Sequence, residues 1–136
     1  MTAGFALLAA PLFGFAQQIE FNREIRPILS DRCFMCHGPD ASHRQAGLRF
    51  DLPTGDLTRP EIQRELLRRV AETGNHRMPP ASSGKAPLTE REIRLLRDWV
   101  AQGAKTQGFW SFIPPVRPAS GNSIDAFIQA RLAKEG

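Results

Sequence analysis

The chain has 136 residues, a length that favours one compact domain. Hydrophobic residues make up 41% and charged residues 24%, a globular composition that excludes a disordered or multiply membrane-spanning chain. Net charge is +4 and the pI about 9.8, but the cations are mostly Arg scattered along the chain. No basic block with interleaved aromatics is present, so no nucleic-acid partner is expected.

Residues 1–16 read as an export signal. Phe5 to Ala16 is an uncharged apolar run of h-region length, too short to span a bilayer as a helix. Gly14 and Ala16 supply the small residues for a cut before Gln17, so no transmembrane span is expected to remain after cleavage. The amino-terminal end lacks the usual Lys or Arg, which leaves a start further upstream open, and a buried N-terminal helix is the competing reading. Export places the chain in the periplasm or outside the cell.

Residues 17–104 read as the compact domain, mainly α. A first helix is expected from about Asn22, a good N-cap residue, with Ile25, Ile28, Leu29 and Cys33 on one face. Pro27 argues that it is short or begins late. Residues 47–52 (GLRFDL) alternate apolar and polar, which predicts a short extended or β segment. A second helix is expected from Pro60 to Glu72, with the stripe Ile62, Leu66, Leu67 and Val70, stopped by Gly74. A third begins at the capping box Thr89/Glu92, carries Ile93, Leu96, Trp99 and Val100, and is closed by Gly103.

Residues 105–122 hold Pro114, Pro115 and Pro118 among Gly and Ser and read as a linker. Residues 123–136 restart a helical pattern, with Ile124, Phe127, Ile128 and Leu132 as an apolar stripe. They read as the helical start of a second, truncated domain.

The chemistry is concentrated in Cys33-Phe34-Met35-Cys36-His37, the C-x-x-C-H attachment signature of c-type haem. Two thiols on one turn can reach the two vinyl groups at one porphyrin edge, and the adjacent histidine then lies under the iron. A thioredoxin-like pair would need a strand and a βαβ pattern, which the surrounding sequence lacks. A zinc site needs four ligands, and no second C-x-x-C exists. A simple disulfide leaves His37 unexplained.

A His-ligated iron has either a sixth ligand or an open site. Beyond Met1, only Met35 and Met78 are available; Met35 sits within the attachment turn, which leaves Met78, presented by the stiff run Arg77-Met78-Pro79-Pro80. Its competing role is core filler. His76 is the rival ligand, and His43 reads as surface. Arg44 and Arg49 are candidates to hold a haem propionate.

The blocks Ile19 to Leu29, Cys33 to Asp40, Ala46 to Asp51, Arg77 to Pro80 and Leu88 to Ala104 together resemble the planctomycete-type cytochrome c domain. That resemblance implies a small cytochrome c-like helical fold around one covalent haem c, with Cys33 and Cys36 as thioether sites, His37 as proximal ligand and Met78 as distal ligand. The tail, Phe109 to Pro118 and then Ile124 to Leu132, is similar to the junction at which such proteins enter a further domain of unknown function.

The expected role is single-electron transfer with an unknown redox partner protein, as a module of a larger exported protein with a missing C-terminal domain. No substrate pocket with general acid–base groups is evident, so the chain is not read as an enzyme on its own. Two other roles compete: a haem enzyme or sensor with an open distal site, and a docking module that haem merely stabilises.

Overall fold

The computed structural model describes residues 18–116 and 123–135. The expected signal at 1–16 and positions 117–122 of the expected linker lie outside the described residues. Among the described residues there are five α-helices: α1, Arg26–Arg32; α2, Phe34–His37; α3, Pro60–Ala71; α4, Glu90–Ala101; and α5, Ile124–Glu135. The fold is mainly α, as expected.

The first helical segment begins within a residue of where the sequence placed it, but its first turn is not α-helical. A π-helical turn, Phe21–Ile25, runs directly into α1. Pro27 falls in the first turn of α1, where its missing N–H leaves no bond unmade. Asn22 is not a cap: its side chain accepts from Arg26 Nε and donates to the Gly108 carbonyl. α3 ends at Ala71, one residue short of the expected limit, because Glu72 turns extended.

α4 begins as its sequence dictates. Thr89 Oγ1 accepts from the Glu92 backbone N–H while Glu92 Oε2 accepts from the Thr89 backbone N–H. Such a cap contributes about 1 kcal/mol. Packing contributes more: each large apolar side chain taken fully out of water stabilises by about 1.5–3 kcal/mol. Ile25, Leu29, Leu57, Leu96 and Trp99 are all fully buried, and together with buried Leu66 and Val70 of α3 they join α1, α3 and α4 in one core. The Trp99 ring lies 5.7 Å from that of Phe21, and its Nε1 donates to the Lys105 carbonyl at 2.9 Å.

One expectation is narrowed and one corrected. Residues 47–52, expected as a short strand or an extended loop, form no strand. Their backbone bonds go to scattered partners: Phe50 N–H to the His37 carbonyl, Arg49 N–H to Asp56 Oδ2, and the Arg49 carbonyl to Asp56 N–H. No ladder forms because, among the described residues, no second strand lies alongside. The segment 105–108, expected as linker, is strapped to the domain. The Lys105 carbonyl caps Trp99, Thr106 Oγ1 donates to the Pro53 carbonyl, and Gln107 bonds both Asn22 and Arg26.

In α5, the stripe of Ile124, Phe127, Ile128 and Leu132 is exposed. Among the described residues no helix is long and apolar enough to cross a membrane.

Candidate functional site

The C-x-x-C-H turn is held by its own backbone. Cys33 closes α1 by donating to the Leu29 carbonyl at 2.8 Å. Its carbonyl then accepts from Cys36 N–H at 3.1 Å and His37 N–H at 2.8 Å, which winds both cysteines and the histidine onto one turn. The next residue has to be glycine: a Cβ at Gly38 would run into the Phe34 carbonyl oxygen. The loop that follows folds back over the turn, with Gln45 N–H on the Cys36 carbonyl and Phe50 N–H on the His37 carbonyl, both at 2.8 Å.

Burial sets the chemistry of these groups. The Cys33 thiol is buried, and loss of water pushes its pKa up to about 12, so it is held as S–H. Cys36 is partly exposed, and both cysteines are free. Desolvation holds His37 below the ordinary histidine range, with the Gln45 backbone pulling the other way. A neutral imidazole is the form that ligates a metal. Its Nδ1 is buried without a hydrogen bond of normal geometry, and its ring lies 4.9 Å from that of Phe50.

Cys33, Cys36 and His37 line a predominantly apolar cavity of about 370 Å³. Ala46, Leu48 and Phe50 form one wall, and Ile62, Glu65, Leu66 and Arg69 of α3 form another. Met78, Pro79 and Pro80 close it together with Ser83. The structure thus brings all four sequence-identified residues, Cys33, Cys36, His37 and Met78, to one cavity. Met35 also lines it, from a half-exposed position.

The other candidates stand elsewhere. His76 is exposed and absent from the cavity walls. His43 is exposed and pairs with Asp40 at 2.7 Å. Arg44 bonds the Gly38 and Pro39 carbonyls, and Arg49 is held by both Asp51 oxygens at 2.6–2.7 Å. Neither arginine lines the cavity. Arg32 and Arg69 do, and the sequence reading passed over both. For Arg69 a signal existed: Ile62, Glu65, Leu66 and Arg69 follow the i, i+3, i+4, i+7 spacing of one helix face. That face was hidden because two of its four members are charged.

Residues 33–82 match the family model described as Planctomycete cytochrome C. No curated protein and no solved structure matches the chain significantly. The matched stretch begins at the first motif cysteine and ends just past Met78-Pro79-Pro80, so it takes in the attachment turn and most of the cavity wall. Over residues 33–82, this chain is similar to the planctomycete cytochrome C family.

Proposed function

We propose that the cavity takes one covalently attached haem c and that the domain passes single electrons. The observation carrying this reading is that two thiols, an imidazole and a thioether line one and the same apolar cavity. The donor set suits the group: thiols for thioether attachment, an imidazole biased neutral by burial, and a methionine sulfur of the kind that raises a haem potential. Haem would supply a one-electron iron centre there.

In this reading Cys33 and Cys36 hold the porphyrin edge, and His37 provides the proximal ligand. Its buried Nδ1, lacking a strong partner of its own, leaves the tautomer free to follow the ligating nitrogen. Met78 would supply a second iron ligand, and Leu48, Phe50, Ile62 and Leu66, which line the same cavity, would exclude water from the group. A methionine at the cavity favours electron transfer over peroxide or gas chemistry, which needs an open sixth position. The apolar run from Phe5 to Ala16 supports export to the periplasm or beyond, and the exposed stripe of α5 supports a role as one module of a larger protein with a separate redox partner.

The test is a haem stain on a denaturing gel together with a pyridine haemochrome spectrum, on protein made in a periplasm with haem-maturation machinery. A stained band with the spectrum of saturated vinyl positions is expected. A blank lane with folded protein overturns the assignment.

A further inference from the structure

We propose that Arg69 holds a carboxylate of the bound porphyrin. The inference rests on the haem reading above. It replaces Arg44 and Arg49, both of which are engaged away from the cavity.

A haem carries two propionates, and a carboxylate against an apolar wall is costly unless paired. The charged residues of this cavity's walls are Arg32, Glu65 and Arg69. Arg32 is committed: Nη1 donates to the Ala86 carbonyl at 2.9 Å and Nε contacts Asp31 at 2.8 Å. It also precedes Cys33, and in a porphyrin the propionates lie on the edge opposite the vinyls that cysteines take. A carboxylate partner is therefore expected from a wall other than the one carrying the thiols, and α3 is such a wall.

Arg69 is only half used. Its Nε is fixed by Glu65, which orients the guanidinium along α3. Its Nη1 makes one long contact of 3.4 Å with the His76 carbonyl, and its Nη2 makes no hydrogen bond to a described residue. The terminal nitrogens thus keep donors for a carboxylate, in the planar fork that suits one. Glu65 cannot saturate Arg69, since both of its oxygens are shared with Arg68 at 2.8 Å.

The test compares haem-loaded wild type with Arg69→Gln, Arg69→Lys and the control Arg94→Gln, an exposed arginine of α4 that pairs with Glu90 away from the cavity. Two readouts apply: the propionate bending band in resonance Raman, and the reduction potential. Arg69→Gln should move the band and lower the potential, because an uncompensated carboxylate favours the ferric state. Arg69→Lys should fall between the two, and Arg94→Gln should match wild type. If either Arg69 variant loads haem with an unchanged band and potential, the proposal is overturned, even where its melting temperature drops. If Arg69→Gln does not load, Arg69→Lys decides alone. A wild type without covalent haem overturns the haem reading itself, a result the denaturing gel shows before any variant is made.

Discussion

The backbone N–H of Met78 donates to the Arg69 carbonyl at 2.9 Å. This bond ties the segment Met78-Pro79-Pro80 to the last turn of α3, so the helix that walls the cavity also fixes the methionine entering it. With its backbone held and proline on its C-terminal side, Met78 gives up little freedom on ligating a metal.

Met78→Ala should therefore open the sixth position without unfolding the domain, since Met78 is only partly buried. Ferrous Met78→Ala is expected to bind carbon monoxide readily and the wild type poorly, as followed by the Soret shift. Equal binding by both would mean that Met78 is not a ligand.

Cys36 sits on the same backbone turn as Cys33 and His37. Cys36→Ala leaves one thiol for attachment, so haem that survives denaturation should fall several-fold in a stained gel. The substitution removes a partly exposed sulfur, so the fold should suffer little. Unchanged staining would remove Cys36 from the site.

What the sequence disclosed depended on how local each cause was. The Thr89/Glu92 box and the Cys33–His37 turn are each set by residues within one helical turn, and both stand where the sequence placed them. Met78 was found by elimination, because so few methionines exist. The alternation at 47–52 left strand and loop open because a strand needs a neighbour, and Arg49 and Phe50 bond instead to Asp56 and His37. The strap at 105–108 was read as linker from the composition around it. Its anchors, Asn22, Arg26 and Pro53, are distant in sequence and leave no local trace.

The pair Arg49–Asp51 braces the segment that carries Leu48 and Phe50 to the cavity. The two hydrogen bonds from Arg49 hold Asp51 below the ordinary carboxylate range. A carboxylate with a depressed folded pKa stabilises fully above its unfolded value, near 3.9, and loses that contribution as pH falls through the folded value. In urea titrations wild type should be more stable than Asp51→Asn at neutral pH. The gap should narrow below about pH 4. A gap independent of pH would show that the ionised carboxylate is not what matters.

Arg26 makes the last prediction. It is buried, with its guanidinium carbon 5.1 Å from the Phe21 ring centre and 5.4 Å from that of Phe109. Its nitrogens are bonded within the protein: Nε donates to Asn22 Oδ1 at 2.6 Å and Nη2 to the Gln107 carbonyl at 2.9 Å. One side chain thus ties the π-helical turn to the strap beyond α4. A charged hydrogen bond of this kind is worth about 1.5–3 kcal/mol, and the ring contacts add about 0.5–1 kcal/mol. Arg26→Ala should therefore cost about 2–3 kcal/mol, well above the ±0.5 kcal/mol of an ordinary surface change. Part of the loss should be local. Without Arg26 the strap keeps, among the described residues, the bonds of Lys105, Thr106 and the Asn22 contacts, so chymotrypsin should cut at Phe109, Trp110 or Phe112 faster than in wild type. Cleavage at the wild-type rate, with the stability loss intact, would place the role of Arg26 in the helical core and not in the strap.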